Sequence, residues 1–144
     1  MRNPELAEKF LRKADQDLVA FENWRLDTGI AEEIFGFHAQ QAAEKMLKAA
    51  LSTRTIEFPL THRLTDLIDL CHEHGLKLPQ DFNELRFLTP FAVDYRYDLH
   101  EYEEEEERID FNRMSALLRQ LREWVDELIS LKDKDISKDN MQKE

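Results

Sequence analysis

Residues 35–51 read FGFHAQQAAEKMLKAAL, and this stretch decides the fold. At 100° per residue its apolar residues share one side of a helix, namely Phe35, Ala39, Ala43, Met46, Leu47 and Ala50. Polar residues form a neighbouring stripe at i, i+3, i+7 and i+10, namely His38, Gln41, Lys45 and Lys48. Because small alanines let other helices approach, we predict a central helix of a bundle, with its polar stripe at a groove or a partner surface.

The composition favours a single all-α domain. The chain has 144 residues, 42% of them hydrophobic and 35% charged, so it is long enough to bury one core. Only three glycines and four prolines occur, which favours long helices over many short strands. We therefore predict an up-and-down bundle of about five helices over residues 1–131, followed by a charged, disordered tail at residues 132–144.

Apolar spacing and helix-breaking residues predict where the five helices lie. The helices are expected to begin near Pro4, Ile30, Thr61, Pro79 and Asp110. Gly29 and Gly75 end the first and third helices, and Pro90 breaks the fourth before it resumes towards Tyr97. The predicted inward face of the first helix is Leu6, Phe10, Ala14, Leu18 and Phe21.

Two polar residues on the first two helices each have two interpretations. Asp17 lies four residues after Lys13, so the two side chains could form a solvated ion pair. The alternative is that Asp17 is a catalytic acid. His38 is either a hydrogen-bonded histidine at a helix interface or a residue that faces a ligand. The sequence leaves both alternatives open.

The single cysteine, Cys71, excludes an internal disulfide framework and suits a reducing compartment. No signal peptide is visible and no apolar run approaches membrane length, so we expect a cytoplasmic protein without a membrane segment. Adjacent helical residues point about 100° apart, so Cys71 and His72 are poorly placed to chelate together. We expect neither a metal ion nor a cofactor.

The formal net charge of −11 limits the class of partner, since acids outnumber bases 31 to 20. A protein that binds duplex nucleic acid nonspecifically presents a basic face to the phosphates. Nonspecific duplex binding is therefore not expected. The acids are unevenly spread, with a run at residues 103–107, so a small local basic site is still allowed.

One segment carries residues suited to phosphodiester chemistry. Arg96 and His100 are four residues apart and share a face if the segment is helical. Arginine could hold a scissile phosphate while histidine moves a proton to or from a ribose oxygen, without a metal ion. The alternative is that Asp94 and Asp98 hold Arg96, and that His100 only begins an acidic turn.

Three motifs occur in order along the chain. The first contains His38, Gln41, Glu44, Lys45, Lys48 and Leu51; the second is Thr61-His62-Arg63-Leu64 with Leu67; the third is Asp94-Tyr95-Arg96-Tyr97-Asp98. Together they resemble the HEPN domain family of prokaryotes, small helical proteins often encoded beside minimal nucleotidyltransferases. The resemblance covers roughly residues 5–130.

The resemblance implies a homodimer that acts with a minimal nucleotidyltransferase and is not catalytic by itself. Many HEPN proteins look like metal-independent ribonucleases with arginine and histidine separated by four to six residues, whereas only three residues separate Arg96 from His100. The third motif is closer to a branch with an Arg-Tyr-Pro-Asp type ending, where the histidine is commonly absent.

Three functional hypotheses follow. The preferred one is a non-catalytic or weakly catalytic helical module that dimerises and works with a nucleotidyltransferase partner. This module could also help to hold a nucleotide, with a candidate site formed by His38, Gln41, Lys45, Lys48 and Arg96. The second is a metal-independent ribonuclease toxin of a toxin-antitoxin pair, which uses Arg96 and His100 on single-stranded RNA. The third is an interaction scaffold without a nucleotide ligand.

Overall fold

A computed structural model of the chain describes residues 4–23, 32–92 and 109–142, and beyond Ser130 the backbone alone. Its elements are α1 (Pro4–Glu22), α2 (Glu32–Ser52), α3 (Leu64–Glu73), a 3-10 helix (Gln80–Phe91) and α4 (Phe111–Gln142). None of the described residues forms a strand. The prediction of an all-α bundle of about five helices is therefore confirmed.

The α2 helix lies at the centre of the bundle, as its sequence predicted. It contacts α1, α3, the 3-10 helix and α4, and its contact with α1 is the most extensive. Five of its alanines are fully buried, namely Ala39, Ala42, Ala43, Ala49 and Ala50. Their small side chains let several neighbouring backbones approach one helix at the same time.

The buried face of α1 differs from the predicted face in its first turns. Leu6 is 37% exposed, so the prediction was wrong at this residue, whereas Phe10 is partly buried and packs against the core. The buried stripe is Ala7, Leu11, Ala14, Leu18 and Phe21. Alternating steps of four and three follow the helical period, whereas repeated steps of four drift by about 40° each. The predicted helix end at Gly29 lies outside the described residues.

The fourth helix is a 3-10 helix, and its buried residues recur at every third position. They are Phe82, Leu85, Leu88 and Phe91. A 3-10 helix has three residues per turn, so these side chains form one straight line, whereas an α-helix would spread them around its axis. The helix ends at Phe91, directly after Pro90, where the sequence predicted a break. The predicted continuation towards Tyr97 lies outside the described residues.

The α2 helix and the 3-10 helix meet at Gly36. A Cβ atom added to Gly36 would lie 2.3 Å from Cδ1 of Phe91 and 2.6 Å from its Cγ. Carbon atoms in contact lie about 3.5–4.0 Å apart, so any residue larger than glycine at position 36 would clash with the Phe91 ring. The contact brings the end of the 3-10 helix to the half of α2 that carries His38.

The α3 helix begins three residues after Thr61, near which the sequence predicted its start. The helix begins at Leu64, and the residue at the N-cap position, Arg63, makes no side-chain capping bond. The hydroxyl of Thr61 instead accepts the Arg63 backbone N–H at 3.0 Å and donates to Asp66 at 3.1 Å. Gly75 follows the helix with φ 74°, as predicted, since glycine adopts this left-handed conformation without steric cost.

The α4 helix begins close to Asp110, as predicted, and it buries one apolar face, namely Met114, Leu117, Leu118, Leu121, Val125 and Ile129. Trp124 lies at the edge of the core, with its ring centroid 6.3 Å from that of Phe82. The helix continues to Gln142, past Lys132, where the sequence predicted the start of a charged tail. The division of the chain at residue 131 stays a prediction.

Arginine–carboxylate pairs join α4 to its neighbours. Arg122 donates to both carboxylate oxygens of Asp15 on α1, at 2.9 and 3.0 Å, and these bonds raise the pKa of Arg122. Arg113 donates to both oxygens of Glu84 in the 3-10 helix, at 2.7 and 2.9 Å. Hydrogen bonding to this guanidinium lowers the pKa of Glu84. Both pairs have two-pronged geometry, which favours one orientation of α4 against these neighbours.

Candidate functional site

The polar stripe predicted on α2 lies between the buried core and the solvent. His38, Gln41, Lys45 and Lys48 are all partly exposed. Two carboxylates organise this stripe into two groups of side chains. We call them the Asp17 cluster, which contains Asp17, His38 and Lys45, and the Glu44 cluster, which contains Glu44, Gln40, Lys48 and His62.

The Asp17 cluster joins α1 to α2. Oδ1 of Asp17 lies 3.0 Å from Nδ1 of His38, and Oδ2 accepts a hydrogen bond of 2.5 Å from Nζ of Lys45. The Asp17 side chain is 13% exposed, whereas those of His38 and Lys45 are 32% and 24% exposed. The carboxylate is therefore largely covered, while both of its partners reach the solvent.

The partner of Asp17 was predicted on its own helix, as Lys13, and the structure pairs it across helices instead. Asp17 is turned towards α2, where Lys45 and His38 project from the facing helix. For His38, the hydrogen bond at a helix interface is confirmed, and its ring also keeps access to the solvent. The two interpretations of His38 are thus compatible.

The Glu44 cluster is more deeply buried, since the Glu44 side chain is only 5% exposed. Its Oε1 accepts a hydrogen bond of 3.1 Å from Nε2 of Gln40 and lies 2.9 Å from Nδ1 of His62. Its Oε2 accepts a bond of 3.1 Å from Nζ of Lys48. A buried carboxylate is unfavourable unless it is paired and hydrogen-bonded, and these three partners satisfy it.

Gln40 connects the stripe to the chain segment that precedes α3. It is fully buried, and its Nε2 also donates to the backbone carbonyl of His62 at 3.0 Å. Its Oε1 accepts a bond of 2.7 Å from Nε2 of Gln41. Gln41, a predicted site residue, is therefore linked through Gln40 to the Glu44 cluster.

Sequence reasoning missed Gln40, Glu44 and His62 as members of the site. A usable signal was present, because Gln40 and Glu44 are polar residues among the small apolar residues of α2 and must find partners when buried. The partner histidine comes from another element. Its distance in sequence from Glu44 gave no indication that the two side chains meet.

Aromatic rings border the stripe beside Lys48. The Nζ atom of Lys48 lies 5.7 Å from the centroid of the Phe58 ring, within the range of a cation–π contact. The Phe58 ring meets Phe10 of α1 edge to face, with centroids 6.0 Å apart. This end of the stripe therefore offers a partly exposed aromatic surface next to an ammonium group.

The chemistry of the stripe is that of a compact hydrogen-bonding site with balanced charge. Two ammonium groups, those of Lys45 and Lys48, face two carboxylates. Both histidines turn Nδ1 towards a carboxylate. If the ring is neutral and donates from Nδ1, its Nε2 atom can accept a hydrogen bond from a ligand. If the ring is protonated, Nε2 donates instead. The site can thus bind a ligand that carries both anionic oxygens and hydroxyl groups.

The predicted catalytic pair, Arg96 and His100, lies outside the described residues, as does the acidic run at 103–107. The stripe is therefore described without the fifth predicted residue of the nucleotide site. The roles suggested for Arg96 and His100 stay predictions.

Cys71 lies on the buried face of α3, as predicted, and burial raises the pKa of its thiol to about 12. The neighbouring His72 is exposed. Within residues 4–23, 32–92 and 109–142, no group of three or more His, Cys, Asp or Glu side chains is arranged to hold a metal ion. Over the same residues, no helix has the length and apolar content needed to cross a membrane.

The family model described as HEPN domain matches residues 7–129 of the chain. This match spans α1 through most of α4 and agrees with the range over which the sequence motifs resemble that family. No curated protein and no solved structure matches the chain. The chain therefore belongs to the HEPN domain family.

Proposed function

We propose that this HEPN-family chain binds a nucleotide along the polar stripe of α2 and acts, as a homodimer, with a minimal nucleotidyltransferase. One observation carries the nucleotide part of the proposal: His38 and Lys45 converge on a single carboxylate at the α1–α2 interface. Two donors that meet at one carboxylate are spaced to meet at one phosphate as well, since both groups present oxygens to N–H donors.

Charge supports a mononucleotide over a long nucleic acid. The ammonium groups of the stripe are already paired with Asp17 and Glu44, so the site lacks the excess positive charge that a polyanion requires. The net charge of −11 adds repulsion against a long phosphate backbone. A ligand with few phosphates gains the local donors without that penalty.

The aromatic border gives the base of a nucleotide a surface to contact. Phe58 is partly exposed beside Lys48, and its ring packs edge to face with that of Phe10. Stacking of a base on an aromatic ring is worth about 1–3 kcal/mol in single-stranded nucleic acid complexes. In this arrangement the phosphates lie towards His38 and Lys45, and the base lies towards Phe58.

The position of the 3-10 helix supports a contribution from Arg96. Phe91 packs on Gly36, two residues before His38 in the sequence, and Arg96 follows Phe91 by five residues. Arg96 lies outside the described residues, but a chain of five residues can span up to about 17 Å, which is long enough to allow Arg96 to reach the His38 half of α2. There its guanidinium would add positive charge to the stripe.

The test of nucleotide binding is a thermal melt in millimolar ATP. A ligand at one hundred times its dissociation constant stabilises the native state by about 2.7 kcal/mol, so a rise in Tm is expected. Lys45→Gln should remove most of that rise. The matched control is Lys77→Gln, which removes the same charge from an exposed lysine in the connection after α3. An unchanged wild-type Tm, or an equal loss in both variants, counts against the proposal.

The partner and the dimer have their own tests. Apolar side chains remain exposed on the described surface, among them Val19, Ile34 and Leu60, and supply surface for contacts with other chains. Sedimentation at several concentrations should give a dimer. We expect a minimal nucleotidyltransferase gene beside that of this chain. Mixing the two purified products should then give a complex at micromolar concentration, and failure to form one would remove the partner from the proposal.

A further inference from the structure

Asp17 is the more accessible of the two carboxylates that pair with the stripe, since its side chain is 13% exposed. Its carboxylate receives donors from two side chains, His38 and Lys45, and both side chains are partly open to solvent. The other carboxylate, that of Glu44, has three side-chain partners and is 5% exposed. An anion that displaced Glu44 would have to enter a buried site and satisfy three donors there. An anion that displaced Asp17 would need to satisfy two donors, both of which reach the solvent.

We propose that Asp17 occupies the phosphate site of the Asp17 cluster, so that a phosphate-bearing ligand binds there by displacing the Asp17 carboxylate. The inference rests on the proposed binding of a nucleotide by the stripe. It adds that the chain carries its own competitor for that ligand. The class of ligand is a phosphate monoester or polyphosphate, whose terminal oxygens accept hydrogen bonds from the donors that now bind the aspartate.

The exchange does not require α1 to leave the bundle. The residues that hold α1 against the core, including Ala14 and Leu18, lie on the buried face beside Asp17. Arg122 anchors the same turn of α1 from the other side through Asp15. A rotation of the Asp17 side chain is therefore enough to free His38 and Lys45, while apolar packing keeps the two helices together.

The decisive variant is Asp17→Asn, with Asp15→Asn as its matched control. Each removes one carboxylate from α1, and each carboxylate is ion-paired, but only Asp17 contacts the stripe. Titration calorimetry with pyrophosphate and with ATP, at low ionic strength, compares the dissociation constants. Loss of a charge-assisted competitor should tighten binding to Asp17→Asn by about tenfold. Binding to Asp15→Asn should stay within about twofold of the wild-type value.

Each outcome decides between the two proposals. If the wild-type chain binds ATP and Asp17→Asn binds no tighter than Asp15→Asn, the competitor role of Asp17 is wrong and nucleotide binding stands. If the wild type, Asp17→Asn and Asp15→Asn all fail to bind ATP and pyrophosphate, both proposals fail. A gain confined to Asp17→Asn supports the competitor role.

A measurement on the wild-type chain covers the case in which Asp17→Asn does not fold. Saturating pyrophosphate should shift the imidazole 15N resonances of His38, because its Nδ1 exchanges a carboxylate for a phosphate oxygen. The His38→Gln spectrum assigns those resonances. If they are unchanged at saturation, the ligand does not displace Asp17, and the inference is overturned.

Discussion

Gly36→Ala tests the closest contact between α2 and the 3-10 helix. The new Cβ atom would lie 2.3 Å from Cδ1, 2.6 Å from Cγ and 2.7 Å from Cε1 of Phe91. Restoring a separation of about 3.5 Å requires a shift of about 1.2 Å. Since Cγ itself is too close, rotation of the ring about its own axis does not relieve the clash. The ring is only 2% exposed, so it has little space into which to move.

The magnitude follows from two opposing effects. Overpacking of a well-packed core costs about 1–3 kcal/mol, and this site belongs at the upper end because the clash is with a buried ring. Alanine is favoured over glycine inside a helix by about 1 kcal/mol. The expected net loss is about 2 kcal/mol, which lowers Tm by about 4–8 °C for a domain of this size.

The assay is a thermal or urea melt of four proteins: wild type, Gly36→Ala, Phe91→Ala and the double variant. With Phe91 truncated, the clash disappears and only the helix preference remains, so Gly36→Ala should then stabilise. A Tm of Gly36→Ala equal to or above that of the wild type would refute the reasoning. So would a failure of the effect to change sign in the Phe91→Ala background.

Three further perturbations have expected outcomes. Between pH 8 and 10 the free energy of unfolding should fall by about 1 kcal/mol more in the wild type than in Cys71→Ala. Burial raises the pKa of the Cys71 thiol from its ordinary value of 9.0 to about 12, so the thiol loses its proton first in the unfolded state. Equal pH dependence of the two proteins in urea melts would contradict this. Arg122→Ala should cost about 1 kcal/mol by loss of its two bonds to Asp15, and an unchanged Tm would show that the pair does not fix α4. RNA of mixed sequence should stay intact in excess EDTA, and cleavage that both Arg96→Ala and His100→Ala abolish would establish the ribonuclease alternative.

Periodicity within single helices explains what the sequence could predict. The position of α2 and the membership of its polar stripe followed from the helical repeat, because residues on one helix share a face whatever packs beside them. The same reasoning failed in the first turn of α1, because repeated steps of four drift off one helical face. For the 3-10 helix, the strict spacing of three from Phe82 to Phe91 is the signal that distinguishes it from an α-helix.

Pairing between elements explains what the sequence could not predict. Asp17 and Lys45 are 28 residues apart, and His62 and Glu44 are 18 apart, so no local repeat connects them. A neighbour at i−4 was the natural local choice for Asp17, but the packing of α1 against α2 decided its partner. Such pairs become visible only when the relative rotation of two helices is known.

The two carboxylates of the stripe have different consequences for any functional test. The buried carboxylate of Glu44 accepts hydrogen bonds from Gln40 and Lys48 and also pairs with the exposed His62, so a substitution there changes stability together with any ligand affinity. Asp17 lies nearer the surface, and its described partners are His38 and Lys45. Its removal leaves the buried network intact, and a change in affinity can then be separated from a change in folding. Variants of the Asp17 cluster can therefore report on ligand affinity separately from folding. In the Glu44 cluster the same hydrogen bonds support both the fold and the site, so a variant changes both.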